Sequence, residues 1–452
     1  MLINDTIVAL STPAGVGAIA LVRLSGSRAI EIVDSVFYKS SGKKLTDVAS
    51  HTAHFGVIKD GDEVIDEVVV TVYRSPRSFT GEDTVEVSCH GSTYIQNALI
   101  QLFIRQGARM ASAGEFTRRA FVSGRMDLSQ AEAVADLIES ESAASHATAI
   151  YQMRGGYSEV IASLREKLVD FASLLELELD FSDEDVEFAD RERLRTLLED
   201  IRITIEDLTD SYAMGNVIKN GVPVAIVGAP NVGKSTLLNA LLGEERAIVS
   251  HVAGTTRDTI EDEITIKGIR FRFIDTAGLR DTDDEIERIG IDRAYKKIEE
   301  AMIILYLTDT TCIDDMWWKE IERLKECYPS KHIIPVANKI DIGSQTHLPN
   351  GTIHISAKQR VGLDVLREEL LRVSGTNDLT SRMIVTNARH YDALLRAAVA
   401  VDRVVASMQV DLSADLLAVD VREAISCLSE ITGDISSDDI LGAIFSRFCI
   451  GK

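Results

Sequence analysis

The strongest chemical signal in the sequence is a phosphate-binding loop at residues 228–235. Its residues, GAPNVGKS, satisfy the pattern G-x-x-x-x-G-K-[ST]. In such a loop successive backbone N–H groups point at nucleotide phosphates, the Lys234 ammonium reaches the β- and γ-oxygens, and the Ser235 hydroxyl binds Mg²⁺. The apolar run Val222–Val227 precedes the loop, and a helical pattern, Ser235–Leu242, follows it. This context predicts a strand, a loop and a helix that bind a nucleoside triphosphate.

Three further motifs follow in chain order and narrow the prediction to GTP. DTAG follows the strand-like Ile269–Ile274, and its Asp275 carboxylate can hold the water shell of Mg²⁺. NKID and SAK each follow another apolar run. The Asp341 carboxylate can accept from N1–H and the 2-amino group of guanine, donors that adenine lacks. A backbone N–H of SAK can donate to guanine O6. The residues predicted to contact GTP are Asn231, Val232, Gly233, Lys234, Ser235, Thr236, Asp275, Thr276, Ala277, Gly278, Asn338, Lys339, Asp341, Ser356, Ala357 and Lys358.

Composition restricts the class of protein. The chain has 452 residues, enough for about three domains, and a formal net charge of −23. Because a chain with this much negative charge repels a polyanion, contact with RNA requires a local basic surface or a partner. The five cysteines are scattered without CxxC spacing, which favours a reducing compartment. No apolar stretch reaches the ~18 residues of a membrane span, and MLINDTIVAL lacks the basic start of a secretory signal. We therefore expect a cytoplasmic protein with no membrane contact.

The order of the β-rich, helical and GTP-binding segments predicts an inserted domain. Residues 1–116 alternate short β-rich runs with two helical patterns, which is typical of an α+β domain. Residues 117–216 have helical spacing that begins at a capping box of Asp127 and Gln130. The GTP-binding pattern occupies residues 217–377, and helical sequence resumes over residues 378–452. We expect an α/β P-loop GTPase (Ras-like) domain that interrupts an all-α helical domain.

The catalytic groups usual in this superfamily are missing from their positions. Leu279 stands directly after DTAG, where Ras-like enzymes place a glutamine that orients the attacking water. No arginine finger is evident in the chain either. The acidic residues of 281–290 are candidates for water positioning, and Thr256 is a candidate Mg²⁺ ligand. The Asn231 amide oxygen, with backbone carbonyls from residues 248–258, can hold a monovalent cation; the alternative is that Asn231 only shapes the loop.

The motifs GAPNVGKS, GTTRD, DTAGLR, NKID and FCIGK, in this order, resemble those of the MnmE (TrmE) family of tRNA uridine-modification GTPases. The resemblance extends from DTIVALSTPAGVGAIALVRLSG through SFTGEDTVEV and FVSGRMDLSQAEA to the terminal SEITGDISSDDILGAIFSRFCIGK. Many proteins share the phosphate loop, whereas an FCIGK terminus joined to an inserted G domain is typical of this family.

The resemblance implies a K⁺-dependent GTPase. Two G domains would pair face to face, with K⁺ in place of the arginine finger, and Glu287 would orient the attacking water through a second water. The predicted catalytic residues are Glu287, Lys234 and Cys449. The K⁺ ligands would be Asn231, Ser250, Val252 and Thr255, and the Mg²⁺ ligands would be Ser235 and Thr256. Ser250, Thr255 and Thr256 would also lie at the nucleotide.

The resemblance also implies a folate site and a constitutive homodimer in the amino-terminal domain. The ligand would be a tetrahydrofolate derivative in its 5-formyl or methylene form. The matching positions are Arg23, Glu86, Arg125 and Lys452. Arg125 stands where the family often has lysine, so a planar fork replaces a point charge. The residues alone also allow Arg23 to be a surface ion-pair partner and Cys449 to be inert.

The function implied is modification of tRNA. With an FAD-dependent, MnmG-like partner, in a heterotetramer or a larger complex, the chain would install an aminomethyl- or carboxymethylaminomethyl-type group at C5 of the wobble uridine. GTP hydrolysis would open and close the complex. The alternative is a regulatory switch resembling ribosome-biogenesis GTPases, which often carry a basic RNA-binding module that this sequence lacks. A structural scaffold would leave the catalytic loops unexplained.

Overall fold

The structure is a computed structural model that describes residues 5–39, 42–180, 191–244, 262–274, 298–311, 315–342, 350–375, 383–410, 414–435, 438–446 and 448–451. Contacts divide the chain into two units. One comprises Met1–Ala135, Tyr151–Ala189 and Leu412–Lys452, and the other comprises Asp136–Ile150 and Asp190–Asp411. The three domain boundaries inferred from the sequence stay predictions.

The first unit contains a seven-stranded sheet of order β3-β4-β5-β6-β2-β1-β7. Its pairs are antiparallel except for β1 with β7, which is parallel. Alternating side chains bury one face of the sheet against two helices, as period-two patterning requires. The strands and helices are β1 (Ile7–Leu10), β2 (Ile19–Ser25), α1 (Ala29–Asp34), β3 (Phe37–Tyr38), a 3-10 helix (Leu45–Asp47), β4 (Thr52–Asp60), β5 (Glu63–Tyr73), β6 (Thr84–His90), α2 (Thr93–Arg105) and β7 (Arg109–Met110).

On the opposite face of this sheet, a small apolar cluster packs against β1. Ile7 and Ala9 of β1 pack there against Phe79 and Phe116. The short helix that carries Phe116 begins at Gly114, which has φ +65°. This small cluster lies beside Arg23, one of the predicted folate residues.

Helices occupy much of the rest of the chain. They are α3 (Glu115–Val122), α4 (Leu128–Glu139), α5 (Ala143–Met153), α6 (Gly156–Asp180) and α7 (Arg191–Asn220), followed near the carboxyl end by α11 (Ala388–Gln409), α12 (Ala414–Thr432) and α13 (Asp438–Phe445). The predicted capping box is present: the Gln130 amide donates to Asp127 Oδ1 at 2.9 Å, and the Asp127 amide donates to Gln130 Oε1 at 3.0 Å. Ile138, near the end of α4, is exposed.

The second unit contains a six-stranded sheet of order β13-β12-β11-β8-β10-β9. All its pairs are parallel except β9 with β10. Parallel strands of this kind are buried on both faces and read as continuous apolar runs. The elements are β8 (Val222–Gly228), α8 (Lys234–Glu244), β9 (Asp262–Ile266), β10 (Ile269–Phe273), β11 (Ile303–Asp309), α9 (Asp315–Cys327), β12 (His332–Asn338), β13 (Ile353–His354) and α10 (Leu363–Val373).

The predicted fold class is confirmed. An α+β sheet domain, long helices and a largely parallel α/β sheet with a phosphate loop occur in one chain. Among the residues described, no helix combines the length and apolarity that a bilayer crossing requires.

Candidate functional site

The phosphate loop leaves the carboxyl end of β8, where open α/β sheets bind ligands. β8 pairs with β10 on one side and with β11 on the other. Gly228 ends the strand with φ +154°, and a Cβ at this position would lie 2.3 Å from the Leu307 carbonyl oxygen of β11. Any side chain would therefore force the loop away from its neighbouring strand, so the close approach requires glycine.

Asn338, the last residue of β12, joins two of the predicted GTP-binding segments. Its side chain is 2% exposed. Nδ2 donates to the Val232 carbonyl at 2.8 Å, and Oδ1 accepts from the Ala357 amide at 3.0 Å. Gly233 has φ +97°, and a Cβ there would lie 2.4 Å from Asn338 Nδ2. The asparagine thus holds the phosphate loop and the SAK segment at a fixed separation.

Lys234 and the start of α8 face the loop that precedes them. The Lys234 ammonium donates to the carbonyl oxygens of Gly228 and Ala229 at 2.8 and 2.9 Å. Ser235 is half-buried and Thr236 is exposed in the first turn of α8. A helix N-terminus carries unpaired N–H groups and a partial positive charge, so these residues suit an anion such as a phosphate.

Asp341 and the SAK segment lie together, as base recognition requires. The buried Ser356 donates from its hydroxyl to Asp341 Oδ1 at 2.6 Å. The Gln359 amide donates to the same hydroxyl at 3.2 Å. Asp341 and Lys358 are exposed. The carboxylate is therefore oriented by one hydrogen bond and remains accessible to the two donors of a guanine edge.

The predicted folate residues Arg23 and Glu86 form an ion pair across β2 and β6. They are direct partners in the strand register. Arg23 Nη2 lies 2.8 Å from Glu86 Oε1, and Arg23 Nε donates to the same oxygen at 2.9 Å. The Tyr73 hydroxyl donates to Glu86 Oε2 at 3.4 Å. Burial, and next the Glu86 charge, raise the pKa of Tyr73.

Aromatic rings flank the Arg23 guanidinium. Its Cζ lies 5.5 Å from the ring centroid of Phe79 and 5.8 Å from that of Phe116. A guanidinium near aromatic faces gains cation–π attraction. Arg23 is thus an ion-pair partner, but an enclosed one: the side chains of Arg23 and Glu86 are 18% and 20% exposed. Its role towards folate stays a prediction.

The carboxyl-terminal tail packs against the amino-terminal sheet unit. Ile450 forms an isolated bridge with Ala113, and the Gly114 amide donates to the Cys449 carbonyl at 3.4 Å. The Ser11 hydroxyl donates to the Gly451 carbonyl at 3.1 Å. Ser11 directly follows β1, the strand that pairs with β2. The tail therefore lies at the end of β1, the strand next to the one that carries Arg23. Cys449 and Arg125 are both exposed.

Comparison with known proteins decides the family. Residues 6–125 match the family model "GTP-binding protein TrmE N-terminus", and residues 128–449 match the model "MnmE helical domain". A protein of Flavobacterium johnsoniae, "tRNA modification GTPase MnmE", is 54% identical over 466 residues and covers 100% of both chains. Its namesake in Flavobacterium psychrophilum is 53% identical over 462 residues, again with 100% of both chains covered. The chain belongs to the MnmE family. The resemblance inferred from the motifs is confirmed, and this MnmE-family chain is a GTP hydrolase.

Solved structures also match a part of this MnmE-family chain. A crystal structure of Era in complex with MgGDPNP and a 16S ribosomal RNA segment is 28% identical, covering 40% of this chain and 66% of that chain. Its TM-score of 0.27 supports no conclusion about this chain.

The MnmE-family site residues are only partly within the described ranges. The structure brings together the phosphate loop, Asn338, Lys339, Asp341, Ser356 and Ala357. It separately brings together Arg23 and Glu86. The predicted residues outside the described ranges are Ser250, Val252, Thr255, Thr256, Asp275, Thr276, Ala277, Gly278, Glu287 and Lys452.

Two residues outside the sequence motifs contact predicted site residues. Tyr73 reaches Glu86 from β5, and Asp309 ends β11 beside Lys339, which lies 2.6 Å away. Asp309 follows an apolar strand, as Asp275 does, but no familiar motif surrounds it. Its place at the carboxyl end of a parallel strand was the available signal.

Proposed function

We propose that this chain hydrolyses GTP to drive modification of the wobble uridine of tRNA at C5, with a folate-borne one-carbon unit and a flavin-dependent partner. The observation that best supports the GTP site is the junction at Asn338. This single side chain ties the phosphate loop to Ala357 of the SAK segment, which we propose to contact guanine O6. Phosphate and base recognition are thereby built as one rigid unit.

Within this proposal the residues of the phosphate loop and of the NKID and SAK segments bind or orient GTP. Lys234 neutralises the β- and γ-phosphates, and Ser235 supplies a hydroxyl ligand for Mg²⁺. Asp341 accepts from the guanine edge in the orientation that Ser356 fixes. Lys339, one residue along from Asn338, donates to the Asn231 carbonyl at 2.9 Å. Positioning of this kind is the main contribution of a protein to phosphoryl transfer.

A monovalent cation and one carboxylate complete the proposed hydrolytic site. Asn231 is exposed and has φ +62°, so its backbone is held in a conformation that asparagine tolerates better than most residues. Its amide oxygen and the carbonyls of Ser250, Val252 and Thr255 are the uncharged oxygen donors that suit K⁺. Bound there, K⁺ would supply positive charge beside the transferring phosphate. Glu287 would orient the attacking water, and pairing of two G domains would promote hydrolysis.

The folate part of the proposal rests on the enclosed pair of Arg23 and Glu86. A pterin presents ring N–H and amino donors to a carboxylate, and its flat ring can stack on a guanidinium or an aromatic ring. Glu86, Arg23 and the neighbouring Phe79 offer such groups. Arg125 and Lys452 would contribute positive charge for the carboxylate end of the ligand. A tetrahydrofolate derivative would carry the one-carbon unit when bound.

The charge of the chain favours a partner that contacts the tRNA, because a net charge of −23 opposes tRNA binding by the chain alone. The FAD-dependent, MnmG-like partner that the family resemblance implies would supply most of the RNA contact. We propose a homodimer that joins this partner in a heterotetramer or a larger complex, and a cytoplasmic location. Cys449 stays a candidate participant in the modification chemistry.

The deciding experiment is mass spectrometry of tRNA nucleosides after incubation with the purified protein, its flavoprotein partner, GTP and a methylene- or formyl-tetrahydrofolate. We expect a modified wobble uridine in K⁺ buffer and much less in Na⁺ buffer. Asp341→Asn is the matched control, because xanthosine triphosphate should replace GTP in that variant alone. Unmodified tRNA under all conditions, with accumulation of ribosomal precursors in a deletion strain, would favour the assembly-factor alternative.

A further inference from the structure

Asp309 forms an anchored ion pair behind the phosphate loop. It is the last residue of β11, and its side chain is 13% exposed. Oδ2 lies 2.6 Å from Lys339 Nζ, while Oδ1 accepts from the amide and the hydroxyl of Thr311 at 2.9 and 2.8 Å. Burial raises the pKa of Asp309, but the hydrogen bonds from Lys339 and Thr311 outweigh it and hold the pKa below its usual value. The carboxylate is thus charged and fixed on both sides.

Lys339 connects the Asp309 carboxylate to the phosphate loop. Its ammonium donates to the Asn231 carbonyl at 2.9 Å as well as to Asp309. The Lys339 backbone is also held, since the Thr310 hydroxyl donates to its carbonyl at 2.9 Å. Lys339 has φ +66° and Asn231 has φ +62°. Both residues therefore occupy the left-handed region, which asparagine tolerates but which is unfavourable for lysine, so surrounding contacts must stabilise Lys339 there.

The held carbonyl determines where the next amide points. In a planar trans peptide the C=O and the following N–H point in opposite directions. Because Lys339 holds the Asn231 carbonyl towards its own ammonium, the Val232 N–H must point the opposite way, away from Lys339. The same reasoning applies one peptide later, where Asn338 holds the Val232 carbonyl and so directs the Gly233 N–H away from itself. Backbone amides directed in this way are the donors that a phosphate loop needs.

We propose that Asp309 is a positioning residue for the phosphate loop, acting through Lys339 to aim the Val232 amide at the β-phosphate. The inference rests on the proposed GTP site and adds a residue outside its motifs. Asp309 touches neither base nor phosphate in this account. Removing the Asp309 carboxylate should therefore weaken the binding of nucleotides that carry a β-phosphate more than the binding of those that lack it.

The test compares GDP with GMP, which lacks the β-phosphate, by competition against a fluorescent GDP analogue. Asp309→Asn should lower the affinity for GDP about tenfold, as expected for loss of a charge-assisted contact. The affinity for GMP should fall by less than about twofold. Asp364→Asn is the matched control: Asp364 is an exposed carboxylate of α10 paired with Arg367, and its variant should bind both nucleotides as the unmodified chain does.

Two further variants separate the possible outcomes. In a Lys339→Met background, Asp309→Asn should cause no further loss of GDP affinity, because the connecting ammonium is gone. Thr311→Val removes one bond to the carboxylate and should give a weaker effect of the same kind, which carries the test if Asp309→Asn does not fold. Equal losses for GDP and GMP, or unchanged GDP affinity, would overturn the inference. An unmodified chain that binds neither nucleotide would instead contradict the proposed GTP site.

Discussion

Ser356 and Asp341 are joined by a hydrogen bond of 2.6 Å from the serine hydroxyl to Oδ1 of the carboxylate. The two residues come from different loops, after β12 and β13, and the chain between them spans 15 positions. The serine is buried, whereas the aspartate is exposed. A rigid donor thus orients a carboxylate that solvent, or a nucleobase, can still reach.

This relationship predicts a change of base preference. Asp341→Asn replaces one acceptor oxygen by an NH₂ donor, which matches the additional carbonyl of xanthine and opposes the 2-amino group of guanine. We expect GTP affinity to fall by at least tenfold, and affinity for xanthosine triphosphate to rise. Competition binding with both nucleotides measures the change. Ser356→Ala is the control, because it loosens the carboxylate without inverting its preference. Retained GTP affinity in Asp341→Asn would contradict base recognition by this residue.

A second prediction concerns the buried amide of Asn338. Asn338→Ala would leave the Val232 carbonyl and the Ala357 amide without their partner, at a cost of about 1–3 kcal/mol each. Both stability and nucleotide affinity should fall. Asn338→Asp keeps an acceptor for Ala357 but loses the donor to Val232, so the stability loss from that variant should include charge repulsion at the carbonyl. Urea unfolding monitored by fluorescence, with and without GDP, measures the two effects.

The GTP-binding segments could be predicted because apolar strands and loop motifs lie next to each other in the sequence. Val222–Val227 and Ile333–Ala337 correspond to the cores of β8 (Val222–Gly228) and β12 (His332–Asn338). The distances across the sheet could not be predicted. Asp309 became part of the site only because β11 pairs with both β8 and β12. That pairing order is a long-range property, and no local spacing encodes it.

The amino-terminal unit shows the same limit. The short β-rich runs Ile19–Leu24 and Thr84–Val87, which predict strands, are present in β2 and β6. Their register, which places Arg23 opposite Glu86, depends on the whole sheet. The docking of the tail near Leu10 likewise joins residues more than 400 positions apart. Such contacts follow from tertiary packing and leave no periodic signal.

A third prediction concerns acid sensitivity at Glu115. Burial raises the pKa of this carboxyl, but hydrogen bonds from Arg109, the Ser112 amide and Arg119 outweigh it and lower the pKa from 4.5 to about 2. The unfolded chain therefore binds a proton at higher pH than the folded chain does. The stability from this group is present above pH ~4.5 and is lost as the pH falls towards ~2, by about 3 kcal/mol in total.

Thermal melting at a series of pH values from neutral to strongly acidic tests this prediction. Glu115→Gln should melt at a lower temperature than the unmodified chain near neutral pH, and the difference should shrink as the pH falls. Glu31→Gln is the control: Glu31 is an exposed partner of Arg28, so its curve should run parallel to that of the unmodified chain. A constant gap for Glu115→Gln across this pH range would contradict the linkage argument.

The last prediction concerns the attachment of the tail at Gly451. This glycine has φ +102°, and a Cβ there would lie 2.1 Å from the Leu10 carbonyl oxygen. Gly451→Ala should therefore move the tail off the end of β1 and weaken the bond between Ser11 and the Gly451 carbonyl. Hydrogen exchange at the Gly114 amide, which donates to Cys449, should rise at least tenfold. Gly442→Ala is the matched control, because no atom lies within 4 Å of its Cβ position in α13.

The same variant tests whether the tail organises the folate residues. If it does, Gly451→Ala should also lower the affinity for 5-formyl-tetrahydrofolate while leaving the affinity for GDP unchanged. Faster exchange with unchanged folate affinity would remove the tail from that site.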